Sequence, residues 1–289
     1  MRKINLRKIR LCVRCEYVKW VSDPRMIVFA ALLVFIHSFV LQPLFSMAEK
    51  MGEKLSIWEP FTAVCNVQLI MLAIPLVFLV LISDYPRIDN NSVFFIPRIG
   101  RLNWVLAQIV LMLAQVLSYL SCLFLFITGA SLTHCVWSSS WSSVAVNYLL
   151  TFPEEAGSFA GTLLTGQLYR QMLLPEALAH SLALVALLLF LIGMVQLLFS
   201  VLKLRRIGFI VSAGMVAVGQ ALAFINSIAS WIFPVAHALV RGHYSDYFRK
   251  PIMQIEISYA YFGGLILALM VLSIWRIRKY NYDSILEVQ

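Results

Sequence analysis

The sequence predicts an all-α, polytopic integral membrane protein, and three observations carry that prediction. Of 289 residues, 61% are hydrophobic, and the mean hydropathy is +0.84. Only 13% are charged, about half the share usual in soluble domains. The charges gather in short segments, leaving apolar stretches near the ~20 residues a helix needs to cross a bilayer. A β-barrel is excluded, because its strands would be about half as long and would alternate in polarity. Residues 1–289 therefore read as a single transmembrane domain with no appended soluble domain.

Residues 1–25 come first. Leu6, Ile9, Val13, Tyr17 and Trp20 recur at i+3/i+4 and share one helical face, while Arg7, Arg10 and Arg14 lie on another. The pattern predicts an N-terminal amphipathic interfacial helix that Pro24 ends. The segment lacks the short apolar core of a cleaved signal peptide and the Ser richness of a presequence. Six spans follow, at roughly 26–46, 62–82, 103–130, 178–202, 207–230 and 257–276. An even number of spans places both termini on one side.

Lys and Arg decide which side that is. Seventeen of the 23 fall in the N-terminal tail, the loop 83–102, the link 203–206 and the C-terminal tail. Basic residues are retained in the cytoplasm, so the termini and loop 83–102 are expected there, with 131–177 and 231–256 outside. The net charge of +9 then reflects topology and attraction to anionic lipid headgroups, and gives no reason to expect nucleic acid.

The search for catalytic chemistry is negative. Cys12 and Cys15 form a C-x-x-C without the second pair a zinc site needs. The segment GTLLTGQL has the outer glycine spacing of a phosphate-binding loop, but Gln167 and Leu168 stand where Lys and Ser/Thr are required. No H-E-x-x-H, G-x-S-x-G or intramembrane aspartate pair occurs, and no metal site is expected. His37, His180 and His237 fall near span ends, where headgroups or neighbouring helices satisfy an imidazole. The spans are almost free of charge, which weighs against an ion-coupled carrier. They hold amides instead: Gln68, Gln108, Gln115, Gln196, Gln220 and Asn226. These either line a weakly polar translocation pathway or make interhelical hydrogen bonds, and both readings turn them toward protein. Ala213, Ala217 and Ala221 form a small-residue stripe expected to mark close helix packing.

The loop SDYPRIDNNSVFFIPRIGRLNW is the most distinctive segment. Pro86 and Pro97 disfavour helix immediately before them, and Asp89 or Asn90 can cap a short helix between. Such a helix presents Val93, Phe94 and Ile96 on a cytoplasmic loop, where paired phenylalanines call for a membrane surface or a protein groove.

In this layout the chain resembles the type-2 family of ABC transporter permeases, the membrane subunits of exporters driven by a separate ATPase. Six spans, a basic amphipathic N-terminal helix, the charged loop between spans two and three and a long connection before the last span carry the resemblance. It implies that loop 83–102 is a cytoplasmic coupling helix, with Asp84, Arg87, Asp89, Val93, Phe94, Phe95, Arg98 and Arg101 as ATPase contacts. It implies that 231–256 is a re-entrant segment broken at Pro234 and Pro251. It also implies a bacterial plasma-membrane subunit in a two-plus-two assembly with a second copy of itself and two ATPase subunits. ATP and Mg are then bound by the partner, and this chain is no enzyme and binds no cofactor. An amphipathic or antimicrobial peptide is the expected cargo, with lipid or polysaccharide as the alternative. A non-transporting scaffold or sensor that recruits a cytosolic partner is the reading from another class. The external stretch 131–177 is longer than that family usually shows.

Overall fold

The structure is a computed structural model that describes residues 4–87, 98–164, 166–245 and 251–278. Helix α1 (Leu6–Val21) is capped by Asn5, whose Oδ1 accepts from the Lys8 N–H at 3.2 Å. Of the apolar face read from the sequence, Ile9 and Trp20 are buried, Val13 and Tyr17 half-buried, and Leu6 exposed. That face packs against a 31-residue helix, α6, described below. The pairing is fixed by Tyr17 Oη to Ser118 Oγ at 2.6 Å and by the Asn5 N–H donating to Asn103 Oδ1 at 3.1 Å. The α1 stripe is therefore an intramolecular packing face, while Leu11, Val18 and Val21 point away, exposed.

The first apolar stretch runs from Met26 to Met51 as α2 (Met26–Ile36), a π turn (His37–Leu41) and α3 (Gln42–Met51). Pro43 has no N–H to continue the α-helical ladder. The π turn just before it shifts the register, the Gln42 N–H bonding back to the His37 carbonyl.

The stretch 62–82, expected as one span, is instead two helices, α4 (Glu59–Asn66) and α5 (Gln68–Leu81), meeting at 82°. Val67 between them is extended, at φ −80° and ψ 123°. Asn66 occupies the corner, and its side chain bonds to three different segments. Its Nδ2 donates to the Thr62 carbonyl at 2.8 Å and to Ser181 Oγ at 2.9 Å, and its Oδ1 accepts from the Arg241 N–H at 2.9 Å. Tertiary partners thus fasten the corner in place.

Helix α6 (Arg101–Ser131) follows, about 46 Å long at ~1.5 Å per residue and so longer than the hydrocarbon layer. Beyond it lies a compact cap of short helices α7 (Ser143–Thr151), α8 (Phe159–Leu163) and α9 (Gly166–Tyr169). Two residue pairs, Leu55 with Cys135 and Ser56 with Val136, form the parallel strands β1 (Leu55–Ser56) and β2 (Cys135–Val136) that tie this cap to the start of α4. Lys50 Nζ also donates to Glu155 Oε1, and Tyr148 Oη to Glu155 Oε2, both at 2.6 Å. These bonds hold Glu155 below the usual carboxylate range, Lys50 first and Tyr148 second.

Helix α10 (Leu174–Val201) is the central element, packed against α4, α5, α6 and the last helix. It ends in a Schellman turn with Lys203 at φ +64°, and α11 (Arg205–Phe224) starts two residues later. The fifth expected span, 207–230, stops at Phe224. Asn226 terminates it from the left-handed conformation at φ +51°, the Ser227 N–H bonding to the Leu222 carbonyl at 3.0 Å. The buried face of α11 is Gly208, Ser212, Val216, Gly219 and Gln220, whereas Ala217 and Ala221 are exposed, so the alanine stripe is not the packing face. The chain then folds back through 3-10 turns at Ile228–Ile232 and Val240–His243 on either side of α12 (Pro234–Ala238). The last helix, α13 (Ile255–Arg278), packs along α10 and α6.

Among the described residues, five helical segments are long and apolar enough to cross a membrane, and the bent pair α4–α5 is a sixth if counted as one span.

Candidate functional site

Two places concentrate polar chemistry, one at each end of the bundle. At the end that carries α1, five charged side chains form an alternating row. Asp23 receives Arg87, Arg25 pairs with Asp84, and Arg205 Nη2 reaches Asp84 Oδ1 at 2.5 Å. Ser83 joins the row, its Oγ accepting from Arg25 Nη1 at 2.8 Å and its carbonyl from Arg205 Nη2 at 2.9 Å. Arg87 also donates to the Lys19 carbonyl at 3.2 Å. The row links the entry to α2, the exit of α5 and the start of α11. Its side chains are 10% to 40% exposed, so water screens each pair and its value lies in geometry more than in stability.

Asp84 and Arg87 therefore have partners within the chain. Arg98 is exposed, with its carbonyl accepting from Lys8 Nζ at 2.9 Å, and Arg101 opens α6. Asp89, Val93, Phe94 and Phe95 lie outside the described residues.

At the opposite end, the bend between α4 and α5 opens a cavity of about 680 Å³. Asn66, Gln68 and Asn226 place amides in its wall, and Trp231, Leu239 and Arg241 contribute from the returning segment. The apolar residues Phe159, Phe224, Ile228 and Ile252 are also in the lining and are exposed. Arg241 ties the wall to the cap: its Nε donates to Gln167 Oε1 and its Nη1 to the Thr162 carbonyl, both at 2.9 Å. Gln167, the residue that denies the glycine-spaced segment a phosphate-binding lysine, is thus a partner of Arg241. A pocket of this size with apolar walls, four amides (Gln167 included) and a guanidinium suits an amphipathic guest.

The six amides separate accordingly. Gln68 and Asn226 line the cavity, and Gln220 supports it by donating Nε2 to the Gln68 carbonyl at 2.8 Å. Gln196 is buried and donates to Ser212 Oγ at 3.3 Å across α10 and α11. Gln108 and Gln115 are buried in α6, away from the cavity. Sequence reasoning missed Asn66 and Arg241. The polar pair Asn66 and Gln68 flanking one valine inside an apolar run was the available signal.

Cys12 is half-buried in α1, with its thiol pushed up to about 11, chiefly by burial. Among the described residues no group of three His, Cys, Asp or Glu side chains is placed to hold a metal. Compared with protein-family models, curated proteins and solved structures, the chain gives no significant match.

Proposed function

We propose that this chain is the membrane permease subunit of an ATP-driven exporter. In this reading the bent pair α4–α5 is the second of six spans, both termini are cytoplasmic and the membrane is the bacterial plasma membrane. Two copies form the pathway, and a separate ATPase that binds ATP and Mg docks on loop 83–102. The single observation that carries the reading is the charged row Arg87, Asp23, Arg25, Asp84 and Arg205. It joins the base of that loop to the starts of spans one and five and the end of span two. A push on the loop then moves three spans as one body, a rigid-body type of switch. The cavity at the helix break faces the other side and suits an amphipathic peptide, since its walls combine apolar side chains with amides.

Affinity purification of the full chain from its native membrane, with ATPase activity assayed in the eluate, tests this. Phe94→Ala with Phe95→Ala is expected to abolish assembly. Asp84→Asn is expected to keep assembly but to lower cargo-stimulated ATP turnover about tenfold or more, roughly 1.4 kcal/mol of coupling. Unchanged assembly and turnover in both variants sink the coupling assignment. Capture of a soluble partner without ATPase activity turns the reading to a scaffold.

A further inference from the structure

Behind the cavity wall, two buried imidazoles face a single hydroxyl. His237 on α12, His243 in the following 3-10 turn and Ser258 on α13 are each at most 3% exposed. His237 Nε2 lies 2.9 Å from the Trp231 carbonyl oxygen, and its Nδ1 lies 2.8 Å from Ser258 Oγ. His243 Nδ1 lies 2.9 Å from the Leu239 carbonyl oxygen, and its Nε2 lies 2.8 Å from the same Oγ. The five groups form one chain of four short contacts, with an oxygen that can only accept at each end.

Each contact needs one proton, because lone pairs that face each other at such distances repel. Two neutral imidazoles and one hydroxyl supply three. Moving either ring to its other tautomer only transfers the gap to another contact. A fourth proton completes the chain: one ring becomes imidazolium, donates to the serine oxygen, and the serine hydroxyl donates to the other ring.

The Tyr261 ring stacks on His237 at 4.1 Å and offers its face to a charge there. The Trp231 ring meets His237 at 5.3 Å and His243 at 5.1 Å in T-shaped contacts. The titratable and charged groups around the trio are His180 and Glu176 on α10, Tyr259, Tyr261 and Glu256 on α13, Tyr169 on α9, and Arg241 and Tyr244 beside His243. His180 is engaged with Tyr259 Oη at 2.9 Å, and the upper half of α11 carries no titratable group. Asp246, Arg249 and Lys250 lie outside the described residues. Burial by itself pushes both rings toward the neutral form, His243 down to about 4, with the carbonyl bonds working against it. That applies to each ring taken singly, whereas the missing proton belongs to the pair.

We propose that His237, Ser258 and His243 form a binding site for one proton, held between the cavity wall and the last helix. Trp231 and Leu239, whose carbonyls end the chain, both line the cavity, so the proton completes the bonds that fasten this wall to α13. The site stands whether or not the chain is an exporter, since it rests on the hydrogen-bond count alone.

The test uses the full chain in lipid nanodiscs with nitrogen-15 histidine, following each ring by NMR from about pH 8 to about pH 4. His237→Gln and His243→Gln assign the signals. The expected result is uptake of one proton by the pair, with both rings moving at a common midpoint at least about one unit above 4. Ser258→Ala removes the acceptor of the added proton and also the repulsion in the neutral state, so it is expected to weaken proton binding about tenfold or more. Separate midpoints for the two rings, or no uptake above about pH 4, overturn the proposal. So does an unchanged midpoint in Ser258→Ala, and if that variant does not fold, the common midpoint of the native chain decides.

Discussion

Replacing Asn66 by Ala should loosen the cavity end of the molecule more than any other single truncation in its wall. Asn66 is fully buried and makes three hydrogen bonds, to Thr62, Ser181 and Arg241. A buried hydrogen bond contributes about 0.5–1.5 kcal/mol net, so losing the bonds to Thr62 and Ser181 removes roughly 2 kcal/mol. The Arg241 N–H is then left in the wall without its acceptor, which adds about 1 kcal/mol or more. The expected cost is about 3 kcal/mol, roughly a hundredfold in the population of the opened wall. Trypsin reads this directly, because it cleaves after Arg241, and cleavage there in nanodiscs should accelerate by a comparable factor while cleavage at the opposite end keeps its native rate. Asn66→Asp keeps the acceptor for Arg241 but loses both donated bonds, and should fall between. A cleavage rate for Asn66→Ala within about twofold of the native chain, under 0.5 kcal/mol, would refute the reasoning that this amide holds the bend.

Gly219→Ala places a methyl 2.7 Å from Phe233 Cβ, where a real contact does not fit, and should destabilise by about 1–3 kcal/mol in thermal unfolding; Phe233→Ala keeps that Cβ and should not restore the loss. Lys50→Ala should raise the Glu155 titration midpoint toward the ordinary glutamate value, read by carboxyl NMR. The native contact is present above about pH 4.5 and is lost as pH falls through the depressed value, so the variant should lose only that acid-side dependence. Alkylation near pH 8 should label exposed Cys15 well before Cys12, whose thiol sits at about 11, as followed by peptide mass spectrometry.

Much of the scaffold was legible because its cause is local. Long apolar runs over 26–46, 103–130, 178–202 and 257–276 became long apolar helices, since in lipid the backbone must satisfy its own polar groups and a helix does so without neighbours. The i+3/i+4 stripe on α1 likewise survived as a helix, though its partner is α6. The bend at Val67 was not legible. Nothing in Asn66–Val67–Gln68 forbids helix, and the corner exists because Ser181 and Arg241, 115 and 175 residues away, bond the Asn66 side chain. The six amides looked alike as letters. Only their neighbours separate Gln68 and Asn226, at the cavity, from Gln108, Gln115 and Gln196, buried among helices. The alanine stripe failed for the same reason: small residues permit close packing on whichever face a partner arrives, and the partners of α11 arrived on the Gly208–Gln220 face.

By itself, the sequence determined that the chain is helical with apolar segments long enough to cross a membrane, where those segments lie and which end of each carries the basic residues. Composition and hydropathy act on every residue in the same way, so they need no knowledge of contacts. Tertiary structure alone decided that the second apolar stretch bends, that Arg87, Asp23, Arg25, Asp84 and Arg205 form one row, and that His237 and His243 share Ser258. Each of these joins side chains from separate segments, and a hydrogen bond or ion pair depends on ångström distances that chain order does not encode.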